Sequence, residues 1–394
     1  MLYNNFKECK ISRLGFGLMR LPVNSDGTIN KKETEKMIDY AIAHGVNYFD
    51  TAWPYHGGMS EIICSQILNK YPRDSYFLAT KFPGHQIISN MNVQEIFEEQ
   101  LKKCNTTYFD FYLLHNVYEG SIDRYLDKEL NIIPYLIEQK KKGRIKHLGF
   151  SSHGDLDIIK RIIDLYPNDL EFCQLQINYV DWTLQKAKEK YDYITSLGLG
   201  VWVMETVRGG KLATLDSEFR DKLKARRKDE SIPSWALRFI LKLENVKVML
   251  SGMSSYEQMI DNIKTMENDK PLTDEEFIFL IELGKELSYG IPCTSCKYCT
   301  SGCPKGLNIP RLLSFYNDLK YQKNIINVSM KIEALEKEKQ PSACISCKKC
   351  TTICPQKIDI PKYLHLLADE IERMPKWLDV CKQREEANKK AKLD

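Results

Sequence analysis

The chain has 394 residues, of which 43% are hydrophobic and 28% charged, enough for two or three domains with one large core. Its net charge of +4 does not by itself suggest a nucleic-acid or membrane surface, and no run of about 18 apolar residues is present to cross a membrane. The first residues lack the apolar stretch of a secretory signal, so a reducing cytoplasm is the expected setting.

From about residue 11 to 268 two patterns alternate. Short apolar runs rich in β-branched and aromatic residues fall at 14–18, 48–52, 77–81, 109–115, 147–151, 173–177, 201–205 and 246–251. Amphipathic stretches lie between them, for example 33–43, 156–166 and 235–243. Strands that are apolar on both faces and alternate with helices imply a parallel sheet. Eight such units over roughly 250 residues fit an α/β (β/α)8 barrel, a TIM barrel. A doubly wound sheet would want a Gly-rich phosphate fingerprint after the first strand, and Leu14-Gly15-Phe16-Gly17-Leu18 lacks the third glycine.

Barrel chemistry belongs at the carboxyl ends of the strands. Four ionisable residues lie there on consecutive candidate strands or just beyond: Asp50, Tyr55, Lys81 and His115. Singly, each has an ordinary structural reading as a cap, rim packing, a snorkelling lysine or a satisfied core histidine. Together at one mouth they form a proton-transfer set. A phenol is a poor acid at neutral pH, and a neighbouring ammonium lowers its pKa. Asp50 would hold Lys81 charged, His115 would orient a substrate oxygen, and Tyr55 would give or take the proton.

These residues carry a resemblance to the aldo–keto reductase family. The matching segments are Leu14-Gly15-Phe16-Gly17-Leu18-Met19, Phe49-Asp50-Thr51-Ala52-Trp53-Pro54-Tyr55, Ala79-Thr80-Lys81, Leu113-Leu114-His115, Lys146-His147-Leu148-Gly149-Phe150-Ser151 and Arg208-Gly209-Gly210-Lys211-Leu212. The resemblance implies that Asp50, Tyr55, Lys81 and His115 are the catalytic tetrad. It places Ser151, Gln176 and Tyr179 beside a nicotinamide, with Tyr179 as the stacking face. It places the cofactor phosphates at the loop 205–212, including Arg208, Gly209 and Gly210, and at the helix start 254–262, including Ser254, Gln258 and Asn262; a helix N-terminus favours anions. The asparagine usual after the Ser151 position is Ser152 here, and the cations that usually hold a 2′-phosphate are replaced by Gly252 and Gln258. NAD(H) and NADP(H) both stay open.

Residues 271–290 read as a linker helix after a barrel domain of 1–270. The segment 291–394 is a second domain. It writes one run twice, C-x2-C-x2-C-x3-C-P: Cys293, Cys296, Cys299 and Cys303-Pro304, then Cys344, Cys347, Cys350 and Cys354-Pro355. In such runs three thiolates hold one iron–sulfur cube and the fourth reaches the other. Cys293, Cys296, Cys299 and Cys354 are therefore expected on one 4Fe–4S cluster, and Cys344, Cys347, Cys350 and Cys303 on a second. A disulfide framework does not suit a reducing compartment, and zinc ribbons would leave the third and fourth thiols and the prolines unexplained. The intervening 309–320 and 328–337 read as helices, so the segment resembles a mainly α-helical dicluster ferredoxin module, and the whole chain the aldo–keto reductase sub-group with such a tail. The other five cysteines (Cys9, Cys64, Cys104, Cys173 and Cys381) read as buried filler. The charge-alternating stretch 382–392 reads as a solvated or frayed helix end.

Nicotinamide moves two electrons as hydride, whereas each cluster moves one, and flavin is the usual converter. FMN in the barrel mouth is therefore one expectation, its ring over Tyr179 and its phosphate near Arg208–Gly210 and 254–262, with the cluster domain docked at the same mouth. Free NAD(P)H with structural clusters is another. The reading is an oxidoreductase acting on a carbonyl, alcohol or similar small molecule and exchanging electrons with ferredoxin or another low-potential carrier. A non-catalytic electron-transfer or redox-sensing protein is the competing class. The sequence leaves the oligomeric state open.

Overall fold

The computed structural model describes residues 1–86, 92–268, 270–287, 291, 293, 298–321, 325–354 and 358–390. The chain opens with a hairpin, β1 (Tyr3–Phe6) and β2 (Cys9–Ser12). Eight parallel strands follow: β3 (Leu14–Gly17), β4 (Tyr48–Asp50), β5 (Phe77–Phe82), β6 (Phe109–Val117), β7 (Ile145–Ser152), β8 (Phe172–Gln176), β9 (Gly200–Met204) and β10 (Val246–Ser251). Each pairs with the next, and β10 returns to β3 to close the barrel. All eight expected strands are present. The hairpin was not anticipated, because two four-residue strands are too short for their alternation to stand out.

The barrel interior is packed with rings. Tyr48, Phe111, Phe172 and Trp202 are fully buried inside it. Phe6 from the hairpin sets its edge on Trp202 at 4.9 Å and corks the closed end. Each fully buried aromatic contributes about 2–3 kcal/mol of burial free energy. The helix Asp274–Leu287, expected as a linker, packs as part of the outer shell. Its Phe277 stacks on Phe239 at 4.7 Å, and a Cβ on Gly284 would fall 2.1 Å from the Tyr179 carbonyl oxygen.

The C-terminal segment is helical, with helices at Ile309–Tyr321, Ile325–Glu333, Ile360–Glu372 and Trp377–Lys390. It sits on the carboxyl mouth of the barrel. Arg311 pairs with Glu119 at 3.0 Å, and Met330, Trp377, Val380 and Cys381 form a small apolar cluster with Tyr118. The described part of the stretch expected as a solvated or frayed helix end, 382–390, is the end of the helix Trp377–Lys390, but one side of it is turned inward. Trp377, Val380, Cys381, Arg384 and Asn388 recur at helical spacing and form its inward stripe. Its charges alternate along the outward side, which is why the tail reads as solvated.

Candidate active site

Asp50 ends β4 and Lys81 lies near the end of β5, so both arrive at the mouth as strand-end side chains. The buried Lys81 Nζ donates to Asp50 Oδ1 and, at 2.7 Å, to the Thr51 carbonyl. Behind it, Gln100 donates to the Lys81 carbonyl at 3.2 Å and to Glu61 at 2.6 Å, which fixes the strand from outside. Burial works to lower the Lys81 pKa, but Asp50 and Tyr55 outweigh it and hold the ammonium above its ordinary value. Tyr55 begins a short 3-10 turn, and Lys81 Nζ lies 4.9 Å from the centre of its ring. Burial raises the phenol pKa more than Lys81 lowers it, with Asp50 adding to the rise. The expected lowering by the lysine is thus present in sign but outweighed, because the ring is packed into the barrel mouth and partly withdrawn from solvent.

His115 meets Tyr55 edge to face at 5.7 Å. Burial first, then the charges of His85, Lys81 and Arg384, push its pKa well below the usual histidine range. Its Nδ1 is buried without a hydrogen-bond partner, as is Nδ1 of His85, whose ring lies 4.3 Å away. Both rings are therefore neutral at neutral pH. Asp50, Tyr55 and His115 line a cavity of about 710 Å³, and Lys81 stands behind them, bonded to Asp50.

The cofactor candidates divide. Ser151, Gly209, Gly210, Ser254, Gln258 and Asn262 line the same cavity. Ser151 Oγ accepts from the Asn116 backbone N–H at 2.8 Å. Gln258 Oε1 accepts from the Ser254 N–H at 2.8 Å, and Asn262 donates to Ser251 Oγ at 2.8 Å. Gln176, Tyr179 and Arg208 do not line the cavity. Gln176 donates to Asp181 at 2.8 Å. Tyr179 is fully buried in the outer shell, 6.2 Å from Phe239, because it lies beyond the end of β8, where the chain has already turned outward. Arg208 has φ 51° and turns away, reaching Asp181 at 3.1 Å and Asp318 of the C-terminal segment at 3.6 Å. An arginine so paired is a tie between domains and is not free for a phosphate.

Sequence reasoning missed several residues in the mouth. Gln174 lies within β8 and Met204 ends β9; their Nε2 and Sδ are 3.6 Å apart, and Gln174 Oε1 is buried without a partner. Inward phase on a strand was the available signal for Gln174. Arg20, from the loop after β3, passes along Gly252, where an added Cβ would fall 3.3 Å from Arg20 Cβ, and it pairs with Glu205 at 3.7 Å. It supplies a cation where the sequence showed only Gly252 and Gln258. His85, His153, Ile326, Met330, Trp377 and Arg384 complete the wall, four of them from the C-terminal segment. Gly58 makes that approach possible: at φ 90°, an added Cβ would fall 2.4 Å from Asn388 Oδ1.

In the C-terminal segment, Cys303, Cys344, Cys347 and Cys350 line one small cavity walled by Leu307, Ile309, Pro361 and Leu364. Cys293, Cys299 and Cys354 stand in the same core. Cys296 and Pro355 lie outside the described residues. None of the described cysteines is in a disulfide. Burial pushes the Cys299 thiol up to about 11, so metal binding there would release a proton.

Comparison with known proteins follows this architecture. The barrel's class is that of parallel-barrel oxidoreductases. The aldo/keto reductase family matches residues 13–283, and the chain belongs to that family; a 4Fe-4S dicluster domain matches residues 292–358. L-galactose dehydrogenase of Arabidopsis thaliana is 27% identical, covering 69% of this chain and 90% of the relative. The NADH-specific methylglyoxal reductase of Escherichia coli is 23% identical, covering 71% and 97%. Among solved structures, the holo form of the aldo-keto reductase AKR11C1 from Bacillus halodurans superposes with a TM-score of 0.59 at 26% identity, covering 72% of this chain and 96% of that one. The protein is an oxidoreductase with an iron–sulfur dicluster domain. Among the described residues no helix is long and apolar enough to cross a membrane.

Proposed function

We propose that this enzyme interconverts a small carbonyl compound and its alcohol at Tyr55, in a chain that also carries a dicluster domain for one-electron centres. The observation that carries the reading is the buried Asp50–Lys81 pair beside Tyr55 and His115 at the end of one cavity. A reduced nicotinamide held in this cavity would supply the hydride chemistry that carbonyl reduction needs. Ser151 and the unpartnered Gln174 Oε1 and Asn116 Oδ1 offer polar contacts of the kind a carboxamide needs. Tyr55 gives its proton to the substrate oxygen and regains one from water in the mouth. Neutral His115 holds that oxygen without competing as a stronger acid. Lys81 draws the phenol toward ionisation, so that the proton leaves as charge builds on the oxygen.

The NADH-specific Escherichia coli relative named above favours this cofactor. FMN is the second reading, favoured by the placement of helices from the dicluster segment in the wall of the cavity. Of the position expected for it, Tyr179 and Arg208 are not available, whereas Gly209, Gly210 and the helix start at Ser254, Gln258 and Asn262 line the cavity. Cys293, Cys296, Cys299 and Cys354 would hold one cluster and Cys303, Cys344, Cys347 and Cys350 the other, and the pair would supply one-electron capacity toward ferredoxin or a similar carrier. Denaturing anaerobically purified protein and identifying the released cofactor separates the two readings: stoichiometric FMN sinks the nicotinamide one. Tyr55→Phe should lower kcat for aldehyde reduction by about 10²–10⁴ with iron content unchanged. Retained turnover would place the chemistry elsewhere.

A further inference from the structure

The wall of the mouth built from the C-terminal segment carries a charge that the proton-transfer scheme does not use. Arg384 lines the cavity from the tail helix. Its guanidinium carbon lies 5.2 Å from the centre of the Trp377 ring. Trp377 in turn stacks on His85 at 6.0 Å, His85 meets His115 at 4.3 Å, and His115 meets Tyr55 at 5.7 Å. A continuous row of rings thus joins the guanidinium to the candidate acid.

No carboxylate among the described residues lies within ion-pair distance of Arg384. Lys81 is already matched by Asp50, and Glu205, also in the mouth, pairs with Arg20. His85, His115 and His153 are held uncharged, chiefly by burial, His153 down to about 3. Arg384 is itself largely buried, and burial works against its charge. Among the described residues Arg384 is therefore a cation in the cavity wall without a carboxylate partner, with five fixed donors, in a place where desolvation makes an anionic partner valuable. Planar bidentate pairing with a carboxylate is the geometry a guanidinium suits best.

We propose that Arg384 forms a carboxylate subsite beside Tyr55, so that the substrate class is an aldehyde or ketone bearing a carboxylate. The inference rests on the carbonyl reading above and narrows it. It also gives the C-terminal segment a direct part in substrate choice, since the cation is delivered only when the tail helix is docked.

The test uses anaerobically purified holoenzyme as wild type, Arg384→Gln and Arg384→Lys. The probes are 4-carboxybenzaldehyde and benzaldehyde, each with NADH and with NADPH. The quantity read is the ratio of kcat/KM for the charged probe to that for the neutral one. It should favour the charged probe in the wild type. It should fall by about 10- to 100-fold in Arg384→Gln, the range one charge-assisted hydrogen bond supplies, and recover in part in Arg384→Lys. A ratio that Arg384→Gln leaves unchanged overturns the subsite while leaving the carbonyl reading standing. Calorimetric titration with benzoate separates the two claims further. Binding to wild type and not to Arg384→Gln supports the subsite even if neither aldehyde is turned over, in which case only the carbonyl reading fails. Equal binding, or none, to both proteins overturns the subsite.

Discussion

Inside the barrel, Tyr48, Phe111, Phe172 and Trp202 fill the cross-section with hydrocarbon. In the C-terminal segment, Cys293, Cys299, Cys303, Cys344, Cys350 and Cys354 stand among Leu312, Leu313 and Leu364, so much of the core is thiol facing a cavity. The barrel core needs nothing added to be complete. The segment is a small body whose core is completed by what its cysteines hold, and in such bodies metal binding free energy is folding free energy. The two are joined by the small apolar cluster around Tyr118 and by polar contacts outside the cavity, including the Arg208–Asp318 pair and the hydrogen bond of 2.6 Å from Gln185 to Asp318. A cavity walled by both bodies therefore inherits the weaker one's dependence on iron.

Iron removal gives the largest expected effect. Chelation of reduced protein should melt the helices between 298 and 390 while the barrel stays folded. Circular dichroism would fall by the contribution of these helices, and limited proteolysis would leave a core fragment ending near residue 287. Carbonyl turnover should vanish with them. A segment that stays protease-resistant without iron breaks the comparison. Cys303→Ser sharpens it. Since Cys303 shares a cavity with Cys344, Cys347 and Cys350, the variant should lose the cluster held by the second run and keep the first. Loss confined to the first cluster, read by paramagnetic resonance of the reduced protein, would overturn the exchange of ligands.

Gly58→Ala tests the junction alone. Its Cβ would strike Asn388 in a backbone conformation that strains any side chain, so the variant should lose about 1–3 kcal/mol of stability, measured by urea unfolding. In an Asn388→Ala background the penalty should shrink to the backbone part, about 1 kcal/mol. Equal penalties in both backgrounds would mean that the tail helix does not dock there. The smallest effect is on pH. Burial, only partly offset by Lys331 and Arg208, raises the Asp318 carboxyl from 3.8 to about 6. The folded protein thus binds its proton more tightly than the unfolded chain does. Between about pH 4 and 6 the stability contributed by Asp318 falls as pH rises. Asp318→Asn should flatten that slope in thermal midpoints measured from pH 4 to 7, and an unchanged slope would assign it to other groups.

The sequence by itself determined what depends on local period and spacing. Eight apolar strand runs alternate with amphipathic helices, and burial on both faces leaves a parallel sheet as the physical outcome. Asp50, Tyr55, Lys81 and His115 were legible because the ends of parallel strands in a closed barrel must share one mouth. The two cysteine runs were legible because ligand spacing is a property of a few consecutive residues. Tertiary structure alone decided which side chains turn into the mouth beyond the strand ends. There the two-residue alternation stops, and each direction is set by whatever packs outside. Arg208 turned to Asp181 and Asp318, and Tyr179 to Phe239. It also decided that the tail helix covers the cavity, because the sequence shows an amphipathic stripe but not the surface that buries it. Arg384 sits in that stripe as a charge, and only the facing row of His85, His115 and Tyr55 gives the charge a place in the site.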